Sequence, residues 1–243
     1  MVLNIYVARH GQDRDNSNGI LNGHRDEPLT ELGRQQAKDV ANKMQQAGFA
    51  LESTPKSATT SIVNDTAYKK KVVLSAVYSS PLQRAFETAN IFAETLTTET
   101  PQQKVQVLDD LIERDFGIMT GQPTSSIIEK CGIKNILVTE KINYFLNPQG
   151  AETFPNLIDR AKRLLSHIEQ ITTSDGDEDN DRETSVLVVT HGDFGKMIYA
   201  AYYNLSWEDV LRSFHFGNSE VLLLSRSSSS ENAHVFETVQ YNS

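Results

Sequence analysis

Two histidines and two arginines stand where apolar runs of the chain give out. Arg9-His10-Gly11 closes the first run, Arg84 follows the second by a few residues, and His191-Gly192 closes the third. Singly, each has an ordinary explanation. A histidine at a strand end is usually a hydrogen-bonded surface residue, and an arginine in a first helical turn is often a solvated charge. Together they form a set suited to phosphoryl transfer. The transition state of that reaction spreads negative charge over three equatorial oxygens, which planar guanidinium forks neutralise better than an ammonium does. Arg9 and Arg84 fit that role. A neutral His10 imidazole is able to attack phosphorus in line, giving a phosphohistidine that water hydrolyses, with His191 as a further donor to the same oxygens. A leaving alkoxide also needs a proton. Glu113 in LDDLIERDFGIMTG, residues 108–121, is the candidate acid, and Asp109, Asp110 and Asp115 are equal rivals on spacing alone.

Such residues are useful only if strands bring them to one edge. Val2, Leu3, Ile5, Val7 and Ala8 predict a first strand, so His10 stands at a C-terminal end, the edge where open α/β sheets bind ligands. Residues 72–79 and 185–190 are β-branched runs that predict buried parallel strands. Each leads into a helical pattern. Ser80, Pro81 and Gln83 have the types of an N-cap, a first helical position and a capping box. Further helices are expected over residues 30–47, 154–171 and 194–203. A strand over 105–108 would feed the Glu113 loop, whose Gly117 and Gly121 suit a fold over a pocket, and late strands over 219–225 and 233–239 would close the sheet edge. The expected fold class is α/β: a three-layer α/β/α sandwich with a mostly parallel central sheet. Residues 1–243 are read as one domain with surface insertions near 52–71 and 173–184.

Composition restricts the setting. The 243 residues, 38% of them hydrophobic, suffice for a real core. No apolar run approaches the roughly 18 residues of a spanning helix, and no basic flank precedes the first strand. The lone Cys131 excludes an internal disulfide and a multi-cysteine metal site. A cytoplasmic protein with no membrane and no nucleic-acid partner is expected, as monomer or homodimer. Segment 174–183, SDGDEDNDRE, supplies five of the nine net negative charges. Its alternating Asp175, Asp177 and Asp179 imitate a calcium loop, but Asn180 and Val186 stand where Gly and a bidentate Glu are needed, so a solvated loop is the better reading.

The ordered series of motifs resembles the histidine phosphatase superfamily, the phosphoglycerate mutase-like fold. The resemblance runs from Arg9-His10-Gly11 with Asn16, through Asp26-Glu27-Pro28-Leu29-Thr30 and Gly33, to Ser79-Ser80-Pro81-Leu82 with Arg84, Ala85 and Thr88. It continues through residues 111–117 with Glu113 and the turn Gly150-Ala151-Glu152-Thr153, and ends at Thr190-His191-Gly192. The resemblance implies that His10 is the phosphorylated nucleophile, that Arg9, Arg84 and His191 hold the phosphoryl group, and that Glu113 moves the proton. It also implies that Asn16 lines the phosphate pocket and that no metal or other cofactor is used. Gly192, Arg114 and His24 are further substrate-binding candidates, Arg114 because it matches a substrate-contacting arginine of the mutases. Asp13 departs from the pattern, which commonly has Thr there; it would weaken phosphate binding or point to solvent.

The expected function is a metal-independent phosphomonoesterase for a small phosphorylated metabolite, of the sugar phosphate, sugar bisphosphate or phosphoglycerate class. A cofactor-dependent phosphoglycerate mutase is the first alternative, disfavoured because residues 122–150 contain Lys130, Lys134 and Lys141 but no Arg to retain a bisphosphate intermediate. A non-catalytic binding module on the same fold is the second. His24, in the turn GILNGHRDEP, is by default an exposed loop imidazole; Tyr144, Phe145 and Leu146 suit either a flap or a core cluster.

Overall fold

Side-chain alternation along the strands sets the architecture. A computed structural model describes residues 2–51, 71–97, 105–173 and 183–237. The acidic run and nearly all of both expected insertions lie outside the described residues. In chain order the strands are β1 (Val2–Arg9), β2 (Phe49–Leu51), β3 (Val72–Ser79), β4 (Gln106–Val107), β5 (Ile136–Val138), β6 (Asn143–Phe145), β7 (Glu183–Thr190) and β8 (Val221–Leu224). The helices are α1 (Arg14–Ser17), α2 (Glu31–Gln46), α3 (Gln83–Leu96), α4 (Ile127–Cys131), α5 (Phe154–Thr173), α6 (Gly192–Tyr203) and α7 (Trp207–Ser213).

Ile5 and Val7 of β1, with Val186 and Val188 of β7, enter one core, filled by Leu157, Ala161 and Leu164 of α5 and Phe194 and Met197 of α6. The intervening Tyr6, Ala8, Leu187 and Val189 enter a second core under Ala37, Ala41 and Met44 of α2 and Ala85, Ala89 and Phe92 of α3. The period of two therefore places helices on both faces, and the three-layer α/β/α expectation holds. At roughly 1.5–3 kcal/mol for each large side chain fully buried, these faces supply most of the drive to fold.

The sheet runs β2-β3-β7-β1-β8, with β4 also paired to β3. All pairs are parallel except β1 with β8. Register matters for function. Arg9 lies opposite Thr190, and Ser79 opposite Val189, so His10, Ser80 and His191 leave the sheet side by side. The loop after β1 is held there by a close approach: a Cβ on Gly11 would run into the Gly33 carbonyl, and one on Gly33 into the Gln12 backbone.

α2 starts as expected, with the Thr30 hydroxyl accepting from the Gly33 N–H at 3.0 Å. α3 does not. Its N-cap is Leu82, with no side-chain cap of its own, and Asp26 accepts from the Gln83 N–H at 2.6 Å and the Gln83 amide at 3.1 Å. Ser80 is not the cap because the helix begins only at Gln83, after an extended Leu82; the Ser80 hydroxyl instead meets His191. Over 105–108 only Gln106–Val107 pair, and of 233–239 only His234 bridges to Leu222, with 238 and 239 outside the described residues. Beside the main sheet, β5 and β6 form an antiparallel pair over a small core of Phe116, Met119, Ile127, Ile136 and Phe145. Among the described residues no helix is long and apolar enough to cross a membrane.

Candidate active site

At the C-terminal edge of β1 and β7 the two imidazoles face each other, ring centroids 5.1 Å apart and planes 59° apart. His10 is 2% exposed, and its Nδ1 lies 2.6 Å from the Gly11 carbonyl oxygen. A carbonyl only accepts, so the ring carries its proton on Nδ1 and keeps the Nε2 lone pair free. Burial, reinforced by the charges of Arg84 and Arg9, holds the His10 pKa well below 6.5 against the opposing pull of that hydrogen bond. The imidazole is neutral at neutral pH. His191 is also held well below 6.5, by burial and then Arg84. Its Nε2 lies 2.7 Å from Ser80 Oγ, which also accepts from the Leu82 N–H at 3.3 Å. With the Ser80 hydroxyl donating to Nε2, the His191 proton sits on Nδ1, a buried atom with no partner.

Arg84 is fully buried. Its Nη1 donates to the Arg25 carbonyl at 2.6 Å and its Nη2 to the Gly23 carbonyl at 2.8 Å, while its Nε faces Asp13 Oδ2 at 3.3 Å. Asp13 does not point to solvent. It is 0% exposed, accepts from the Asn16 N–H at 2.7 Å to cap α1, accepts from Asn22 Nδ2 at 2.6 Å, and stands 3.9 Å from His10 Nδ1. Burial raises the Asp13 pKa although Arg84 draws it down, and burial likewise lowers that of Arg84. Arg9 donates from Nη1 to the Phe216 carbonyl at 2.8 Å, and its guanidinium lies against Gly192. Arg9 Nε and His191 Nδ1 are buried nitrogens without hydrogen-bond partners, and Arg84 Nε has the ion pair with Asp13 alone. Such groups are rare in folded proteins, and two guanidinium groups beside an imidazole fit an anion.

Glu113 lies at the N-terminus of α6. Its Oε1 accepts from the Arg114 N–H at 2.8 Å and the Phe194 N–H at 3.0 Å, and Oε2 from the Asp193 N–H at 3.3 Å. Burial and then the Asp193 charge raise its pKa above 4.5, against the lowering by those N–H groups and Arg84. A raised carboxyl pKa suits a group that must give a proton near neutral pH. The loop is fixed from both sides. Thr190 Oγ1 donates to the Leu111 carbonyl at 2.8 Å, and Arg160 Nη1 donates to the Asp110 and Ile112 carbonyls at 2.8 and 2.6 Å while Glu152 holds its other edge. The rivals fall away on position: Asp109 and Asp110 are exposed, and Asp115 turns back to the Gly117 N–H.

A cavity of about 620 Å³ opens over this edge, with Arg9, Asn16, Glu113 and Gly192 in its wall. His10, Arg84 and His191 are not part of that wall and are buried. Arg114 also borders the cavity, but its guanidinium is 1% exposed, with Nε on Asp193 at 3.0 Å, Nη1 on the Phe145 carbonyl at 2.9 Å, and the rings of Phe116, Phe145 and Phe154 within about 5 Å. His24 is outside the wall; its Nε2 lies 2.8 Å from the Glu113 carbonyl and donates to it. Tyr144 and Phe145 are buried and border the cavity as well, so core and flap are not exclusive. Lys196 and Asn218 also line it. Neither was expected from the sequence, although Lys196 is the one charged residue after Asp193 in an otherwise apolar α6 and was legible on that ground.

Comparison with known proteins shows the family. The chain is 26% identical over 209 residues to the 2,3-bisphosphoglycerate-dependent phosphoglycerate mutase of Nitrobacter hamburgensis, covering 86% of this chain and 84% of that one. It is 30% identical over 200 residues to phosphoglycerate mutase-like protein 4 of Arabidopsis thaliana, covering 80% and 69%. A mycobacterial glucosyl-3-phosphoglycerate phosphatase, solved with VO3, superposes with a TM-score of 0.63 at 22% identity over 90% of this chain and 91% of its own. The family profile of the histidine phosphatase superfamily (branch 1) matches residues 5–56 and 66–237, and the chain belongs to that superfamily.

Proposed function

We propose that this chain is a metal-independent phosphomonoesterase that hydrolyses small phosphorylated metabolites through a phosphohistidine on His10. The observation that carries the reading is the state of His10: a neutral imidazole locked through Nδ1 onto the Gly11 carbonyl, within the field of Arg84 and Arg9 and facing the His191 ring. Its Nε2 lone pair forms a bond to phosphorus as the bond from phosphorus to the ester oxygen breaks. The Glu113 carboxyl gives its proton to that oxygen, releasing the alcohol. The resulting carboxylate then takes a proton from water, whose oxygen bonds phosphorus as the N–P bond breaks, returning phosphate and neutral His10. Arg9 and Arg84 supply the positive field that metal ions supply in other phosphotransferases, with the neutral His191 imidazole as a further polar contact, which supports activity without a metal.

Hydrolysis is preferred over mutase chemistry because a mutase must retain a bisphosphate intermediate. Arg114 has two of its donors committed inside the protein, and residues 122–150 hold no other arginine. The test is phosphate release from a panel of phosphorylated metabolites in EDTA, with phosphoglycerate interconversion followed in the same samples. Chelator-resistant release, absent from His10→Ala together with covalent labelling by ³²P substrate, is the expected result. Interconversion exceeding release would make the protein a mutase.

A further inference from the structure

Asp13 departs from the motif series, and the fold puts its charge where the reaction changes charge. The residue is 0% exposed, and its Oδ2 lies 3.9 Å from His10 Nδ1 and 3.3 Å from Arg84 Nε. The groups that meet it are donors: the Asn16 N–H on Oδ1, and Asn22 Nδ2 with Arg84 Nε on Oδ2. An ionised carboxylate only accepts, and a guanidinium keeps its charge, so these surroundings select the ionised form. A serine or threonine hydroxyl caps a helix about as well as a carboxylate does, so the start of α1 does not by itself call for Asp. What Asp13 adds is a buried negative charge. In the resting site that charge has no cation to meet on His10, because Arg84 and Arg9 help to keep the imidazole neutral.

Phosphorylation changes the ring. The Nε2 lone pair forms the N–P bond, the ester oxygen leaves with its electron pair and takes the Glu113 proton, and Nδ1 keeps the proton it donates to the Gly11 carbonyl. The ring is then an imidazolium until water bonds phosphorus and the N–P pair returns to Nε2. A positive ring buried beside two guanidinium groups is unfavourable without a counter-charge. We propose that Asp13 is a positioning residue that supplies this counter-charge: its carboxylate offsets Arg84 and faces Nδ1, so that the phosphohistidine forms faster and lasts longer than with a neutral residue at position 13. The inference rests on the phosphohistidine reading given above. The nearby acids are committed elsewhere. Asp15 accepts from Arg25 Nε at 2.7 Å, and Glu113 accepts from N–H groups at the start of α6.

The test follows both steps by rapid quench into alkali with ³²P-labelled p-nitrophenyl phosphate, counting label on the protein. In Asp13→Asn the rate constant for labelling should fall and that for loss of label should rise, so that their ratio drops by about 10- to 100-fold, the weight of a unit charge about 4 Å away in a buried site. Damage to the fold slows both steps, and first-order rate constants do not depend on how much of a preparation is folded. Asp13→Ser, which keeps an oxygen for the α1 cap, should show the same reversal and serves if Asp13→Asn does not fold. Rate constants that fall together, or a ratio within about twofold of the wild type, overturn the counter-charge and leave the phosphohistidine standing. Tighter inhibition by inorganic phosphate with an unchanged ratio assigns Asp13 to Arg84 alone and overturns it as well. Absence of label on the wild type, or label retained in His10→Ala, overturns the phosphohistidine and this inference with it.

Discussion

The floor of the site, a cluster almost wholly buried, and the rim of the cavity are built differently. On the floor, His10, Arg84, Asp13 and Glu113 are each tied to backbone groups of loops that leave the sheet edge, and the strand register fixes where those loops start. The rim, from Phe116 to Phe145, sends Phe116, Ile136 and Phe145 into a small separate core and Leu137 and Tyr144 into the main one, and it presents Lys141, Asn143 and Tyr144 to the cavity from a two-stranded hairpin. A floor locked by backbone bonds is pre-organised for one reaction, because its groups need no rearrangement as charge develops. Exposed positions of the hairpin turn, Lys141 among them, are free to differ in residue type without disturbing the sheet.

That contrast breaks if floor residues prove interchangeable with rim residues in their effects. The largest effect short of losing His10 is expected at Glu113. Glu113→Gln should slow hydrolysis of alkyl phosphates by roughly 10²- to 10⁴-fold but p-nitrophenyl phosphate far less, since only a poor leaving group needs the proton. Equal slowing of both substrates would remove Glu113 from the acid role. Next comes Asp13. Asp13→Ala strands Arg84 without its carboxylate and uncaps α1, which should lower unfolding free energy by about 3–5 kcal/mol in denaturant titrations. Asp13→Asn keeps an acceptor for the cap and loses the charge, so its deficit measures the pair alone; no deficit would mean that Arg84 is already compensated by the Gly23 and Arg25 carbonyls.

The smallest effect is on pH dependence, and its sign follows from the two imidazoles. Both have folded pKa values below their ordinary 6.5, so below 6.5 the unfolded chain takes up protons that the native state refuses. Stability is therefore present above pH 6.5 and is lost as pH falls, by up to about 1.4 kcal/mol per pH unit for each histidine. Unfolding midpoints measured from pH 7.5 to 5.5 should fall for the wild type and fall less for His191→Asn. The raised carboxyls of Glu113 and Asp13 act with the opposite sign, so the deciding quantity is the difference between the two profiles; equal slopes would place His191 in contact with solvent.

How much was legible varied with the range of the interaction. The alternation of Ile5, Tyr6, Val7 and Ala8 was enough to predict a two-faced strand, and Thr30 ahead of Gly33 was enough to start α2, because both depend on neighbours in the chain. Ser80 misled for the same reason. Its type and place suit a cap, but a histidine 111 residues later takes the hydroxyl, and Asp26 caps α3 instead. Asp13 was noticed as a departure, yet nothing local indicated that it lies under Arg84. The cavity role of Lys196 was missed because the apolar periodicity of α6 reads as core, and a lysine within it counts as an interruption until Tyr144 is seen opposite.

By itself the sequence determined the α/β class, the helical and strand periods, and the residue types able to handle a phosphoryl group, since periodicity and side-chain chemistry are properties of the chain. Tertiary structure alone decided which carboxylate meets the N-terminus of α6, which partner buries Arg84, and that Lys196 faces a cavity. The physical reason is that burial and pairing depend on groups far apart in sequence, and the free energy of a charge is set by what surrounds it after folding.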